Sequence, residues 1–165
     1  MNAKETILAA MGNSEAILNA YLADLSDAEL LIRPVPGQNH IAWQLGHLIV
    51  SEKNLRDSVK AGSGPELPSG FAEAHGRDEA STHADDPERF QSKATYLELM
   101  KGQREASKKV LAELTDAEMD EEGPERSRRM APTKGGVFLL IGTHGLMHAG
   151  QFVSVRRSLK KPLAI

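Results

Sequence analysis

His144 and His148 stand one helical turn apart on the core-facing stripe of a C-terminal segment that reads as an amphipathic helix, alongside Val137, Ile141, Phe152, Val155 and Leu159. A buried imidazole without a partner costs roughly 1 to 3 kcal/mol, so two adjacent rings call for something that bonds to both. A metal ion meets that demand, because residues four apart lie about 6 Å apart along the axis and can converge on one point beside the helix. Hydrogen bonds to backbone or between the rings also meet it, and the spacing alone leaves both readings open. A metal would need a third ligand from elsewhere. His47 is the best-placed candidate, near the middle of another helical pattern, between Trp43 and Val50. His40 lies about 10 Å away along that axis, where it can cap the helix or line a pocket. His75 and His83 fall in a long polar stretch, where solvent-exposed histidines are expected and need no function.

Positioning these rings is the work of helices. Ile7, Met11, Ile17, Leu18, Tyr21 and Leu25 predict a first helix from Ala3 to Ala23. A second should start at Asn39 as N-cap and carry Ile41, Leu45, Leu48, Leu55 and Val59 to Ala61, where Gly62 stops it. A third begins near Ser92 with Tyr96, Leu97, Met100, Val110 and Leu111; a fourth runs from after Thr133 to before Pro162. No strand pattern emerges. The phrase Leu25-Ser-Asp-Ala-Glu-Leu30 returns as Leu114-Thr-Asp-Ala-Glu-Met119, each with the Ser/Thr-x-x-Glu of a capping box and each preceding a histidine-bearing helix. The expectation is an all-α four-helix bundle made of two helix-turn-helix halves, residues 1–165 forming one domain, although the demands of capping alone could also produce the repeat. Residues 62–91, rich in Gly, Pro, Ser and acidic groups, form the long crossover, either a cover over a site or a plain surface connection.

Gly46 adjoins His47, while Gly142, Gly145 and Gly150 surround the other pair. Each costs roughly 0.8 to 1.0 kcal/mol relative to Ala inside a helix, so the group implies close backbone approach or room for a ligand.

Composition narrows the class. With 20 basic and 23 acidic residues in 165 and a net charge of −3, the chain has no general attraction to phosphate, so nucleic-acid binding is not expected. Arg156, Arg157, Lys160 and Lys161 are better read as offsetting a helix dipole, and Arg126, Arg128 and Arg129 as a solvated cluster. Without cysteine there is no disulfide, thiolate ligand or cysteine nucleophile, which fits a cytoplasmic protein. The longest apolar run, Val137 to Ile141, is far short of the ~20 residues of a membrane span.

Two stretches carry a resemblance: Asn39-His-Ile-Ala-Trp-Gln-Leu-Gly-His47 and Thr143-His-Gly-Leu-Met-His148-Ala-Gly-Gln151, the second with its H-x3-H-x-G-Q pattern. The chain resembles the DinB-like family, within the superfamily of DinB proteins, bacillithiol transferases and mycothiol-dependent maleylpyruvate isomerases. That resemblance implies an up-down-down-up bundle, a homodimer, and a divalent metal held by His47, His144 and His148. An all-histidine set suits zinc or nickel, with iron or copper also compatible. Characterised relatives use the metal to help a low-molecular-weight thiol attack an electrophilic small molecule, which implies a thiol S-transferase. A metal-dependent hydrolase is the nearest rival, although Gly145 after His144 rules out the H-E-x-x-H arrangement. The third reading is a noncatalytic metal- or ligand-binding dimer. Gln151, one turn beyond His148, either orients a ligand or packs helices.

Overall fold

The structure, a computed structural model, describes residues 1–76 and 87–163; His83 and the middle of the crossover lie outside them. Side-chain caps start the long helices. In α1 (Ala3–Leu22) Asn2 and Glu5 form a reciprocal capping box. At α2 (Ile41–Val59) the cap is His40, whose Nδ1 accepts from the Trp43 N–H at 3.0 Å, rather than the expected Asn39. Asn39 instead offers its carbonyl to the Gln44 side chain. A four-residue helix, α3 (Phe71–Ala74), follows in the crossover. Ser92 caps α4 (Lys93–Glu113), Thr115 caps the short α5 (Asp116–Asp120), and Thr133 caps α6 (Lys134–Ser158). No strand occurs among the described residues; Glu122 and Thr133 form an isolated bridge.

Cross-helix contacts fix the directions. On α1 and α6 the numbers rise together, Gly142 against Met11, Gly145 against Leu18 and Arg156 on the Tyr21 carbonyl, so these helices are parallel. Glu52 with Arg104 and Lys60 with Glu113 make α2 parallel to α4. The pairing of Gln38, Gln44 and His47 with Ser154, His148 and His144 makes α2 and α6 antiparallel. The result is the up-down-down-up bundle. Its two halves tie together reciprocally: Lys93 at the start of α4 donates to the carbonyls of Leu22 and Leu25 at the end of α1, and Lys4 near the start of α1 donates to those of Ala112 and Leu114 at the end of α4. Buried Arg56 and Arg156 do the same near the ends of α2 and α6, bonding the carbonyls of Gln103 and Tyr21.

The repeated phrase forms a capping box at both places, Ser26 with Glu29 and Thr115 with Glu118. The first closes into a 3-10 turn (Glu29–Leu31), the second into α5. Leu30 and Met119, at matching positions, are both buried. They belong to different apolar clusters. Leu18, Leu22, Leu45, Tyr96 and Phe152 belong to one, and Ile7, Met11, Val110, Leu111 and Phe138 to the other.

A candidate metal centre between α2 and α6

His47 projects from α2 towards His144 and His148 on α6. One nitrogen from each ring lies within 4.8 Å of the others, and the ring centroids are 4.9 to 5.5 Å apart. The helices explain the meeting: His144 and His148 share one face of α6, and the antiparallel α2 brings His47 level with both. His148 is buried and the other two are half-buried. Trp43, one turn before His47, stacks on its ring at 5.0 Å with 7° between the planes. Ser51, one turn after, places Oγ 3.4 Å from His47 Nε2.

Gln44 sets the proton on His148. Its Nε2 donates to the Asn39 carbonyl at 2.8 Å, which turns its Oε1 towards His148 Nδ1 at 2.9 Å. Nδ1 therefore carries the hydrogen, and Nε2 keeps its lone pair. This is how metal-binding imidazoles are commonly oriented. Burial, followed by the neighbouring His144 and His47, pulls the His148 pKa down to about 4, so the ring is neutral at physiological pH. The donor set fits a divalent ion: three imidazoles, one with a fixed tautomer, would hold it and would leave room for a substrate or water among its ligands. Gln44 was not legible as part of the centre, because a glutamine one turn from a histidine is common and its burial against α6 appears only in the fold.

The other sequence candidates are placed elsewhere. His40 caps α2 and packs edge-on against Phe90. His75, expected to be exposed, is 1% exposed. The short α3 turns it inward, where Nδ1–H donates to the Phe71 carbonyl and Nε2 accepts from the Tyr96 hydroxyl. Its ring lies flat on Gly46, where a Cβ would come within 2.0 Å. Gly142 and Gly145 admit Met11, Ser14 and Leu18 of α1, so those glycines serve helix packing; around Gly150 a Cβ meets nothing within 4 Å. The Gln151 side chain is exposed, and only its carbonyl is used, by Gln38 and Ser154. Arg156 is spent inside the fold, on Asp24, Tyr21 and Pro162.

Sequence reasoning also missed a buried ion pair. Glu52 of α2 accepts from Arg104 of α4 at 3.0 Å, and both line a small chamber with His144. Burial pushes the Glu52 carboxyl above its ordinary range, opposed by the Arg104 charge. Each interrupts an apolar stripe, Glu52 between Leu48 and Leu55 and Arg104 between Met100 and Leu111, and a charge in that register was the available signal.

A model of the DinB superfamily matches residues 11–152. No curated protein matches the chain. Among solved structures, the crystal structure of a conserved protein from Enterococcus faecalis is 15% identical and superposes with a TM-score of 0.74, covering 98% of this chain and 99% of that one. At that identity the likeness concerns the fold.

Proposed function

The chain belongs to the DinB superfamily, and from that footing we propose that it binds a divalent metal through His47, His144 and His148 and uses it to transfer a low-molecular-weight thiol to an electrophilic small molecule. The single observation that carries the metal reading is the convergence of three imidazole nitrogens within 4.8 Å, one of them with its proton placed by Gln44. A divalent ion held there lowers the pKa of a bound thiol or water and so supplies a nucleophile. The chain, which has no cysteine, has no thiol of its own to offer. The histidines bind, Gln44 holds the proton on His148 Nδ1, and Trp43 orients His47 and shields its face from water. Zinc or nickel suits the all-nitrogen donors, and iron is compatible. The proposal includes a cytoplasmic homodimer; Leu139 and Met147, exposed on α6, offer an apolar surface for a partner copy.

A hydrolase is the second reading, favoured by Glu52, a buried carboxylate in the chamber that His144 lines. Metal analysis comes first: protein exposed to zinc, nickel or iron should hold about one ion per chain, and His148→Ala should lose it. Loaded protein should then consume monochlorobimane only when glutathione, bacillithiol or mycothiol is added. Metal with no thiol-dependent turnover would leave a binding protein or a hydrolase; no metal in the wild type would overturn the reading.

A further inference from the structure

A polar layer crosses the bundle between its two apolar clusters. Ser14 comes from α1, Glu52 from α2, and Arg104 and Ser107 from α4, all buried, while His144 enters from α6. Arg104 Nη2 donates to Glu52 Oε2 and its Nη1 to the Met11 carbonyl. The rest is unsatisfied: Ser14 Oγ, Glu52 Oε1, Arg104 Nε and Ser107 Oγ are buried and bond to no group among the described residues. Ser107 faces the Glu52 carboxyl without reaching bonding geometry. Well-packed apolar residues in place of a buried ion pair are often neutral or stabilising, so stability does not account for this one. Buried polar atoms left unpaired point instead to something that bonds to them.

Two spaces adjoin the pair of Glu52 and Arg104 in this layer. Glu52, Arg104, Met100, Leu18 and His144 line a chamber of about 10 Å³, room for about one water-sized group. Leu18, Met100 and Arg104 also line a cavity of about 200 Å³ in the seam between α1 and α4, with Leu97 and Lys101 among its other walls. Of the adjacent helix pairs in the bundle, α1 and α4 touch least.

We propose that this cavity and chamber form the ligand pocket of the histidine centre, taking a small amphipathic molecule whose apolar body lies along Leu18, Leu97 and Met100 and whose hydroxyl, amine or amide end bonds to Glu52 and Arg104. The unsatisfied set dictates that end. A carboxylate oxygen asks for a donor and a guanidinium N–H asks for an acceptor, so a group carrying both complements them, whereas an anion would face Glu52 and a cation would face Arg104. The assignment to that centre rests on the metal reading; the pocket walls are protein side chains alone.

Methyl-labelled methionine makes Met100 a reporter, with Met130, 69% exposed, as the control. Benzyl alcohol should shift the Met100 signal and leave Met130 unmoved, and it should bind about tenfold or more tightly than toluene, which has the same body without the hydroxyl. The Glu52→Leu, Arg104→Met double variant removes both charges together and should bind the two probes alike. Should it fail to fold, Ser107→Ala should narrow the preference, and Leu97→Trp, which fills the cavity and keeps the Met100 reporter, should abolish the shift with both probes. A Met100 signal unmoved by either probe, or equal affinities in the wild type, would overturn the pocket. Cobalt-loaded protein tests the link: the protons of bound benzyl alcohol should broaden in the wild type and stay sharp in His148→Ala. Cobalt uptake without broadening would disconnect the pocket from the centre. Failure to take up cobalt would overturn the metal reading and that connection with it, while the Met100 signal still reports on the pocket.

Discussion

At the residue scale, one amide and one buried ring carry testable consequences. Gln44 orients His148 through a bond whose other end is fixed on the Asn39 backbone, so its loss frees both the ring and its tautomer. Gln44→Ala is expected to weaken zinc binding by about 10- to 100-fold in a calorimetric titration while the helical content holds. His75 is neutral for a different reason. Burial lowers its pKa below 6.5, and its Nε2 accepts from Tyr96, a phenol that burial pushes up to about 12 and that therefore stays protonated. The unfolded chain takes up this proton near 6.5 and the native state only at lower pH. The stability contribution is thus complete above the unfolded value and is lost as pH falls below it. Urea unfolding at neutral and mildly acidic pH should show that loss in the wild type and a flatter dependence in His75→Asn.

The elements owe their starts to local chemistry and their spacing to absent side chains. Both Ser/Thr-x-x-Glu boxes formed as the pattern implied, yet only the second opens an α-helical turn. Sequence periodicity placed the four long helices to within a few residues, but α3 was not visible, because a four-residue helix carries no full period. Its consequence is large, since it folds the crossover onto α2 by laying His75 on Gly46. A methyl group there has nowhere to go without moving a ring that is bonded at both nitrogens. Gly46→Ala should therefore cost roughly 1 to 3 kcal/mol in chemical denaturation despite the higher helix propensity of alanine.

Across the whole molecule, the bundle is two apolar clusters separated by a polar layer, with reciprocal lysine and arginine ties relating its halves. The repeated capping phrase and these matched ties support the expected pair of helix-turn-helix halves. Because the histidine centre joins α2 of one half to α6 of the other, an ion bound there acts on global stability. Chelation of protein equilibrated with zinc at 100 times its Kd should cost about 2.7 kcal/mol in thermal or urea unfolding. His148→Ala should show no such difference between metal-supplemented and chelated buffer.

Helical class, the helix starts other than the cap of α2, and the three histidines were legible from the sequence alone, because each is written in local periodicity, in cap residues, or in position on an apolar face. The superfamily resemblance reached the same histidines and the helix directions. Tertiary structure decided what depends on a neighbour from another helix: that Gln44 is the partner of His148, that His75 is core rather than surface, that Gly142 and Gly145 serve packing, and that Glu52 meets Arg104. A polar residue in a sequence looks the same whether it faces water or a buried counterpart, and only packing tells the two apart.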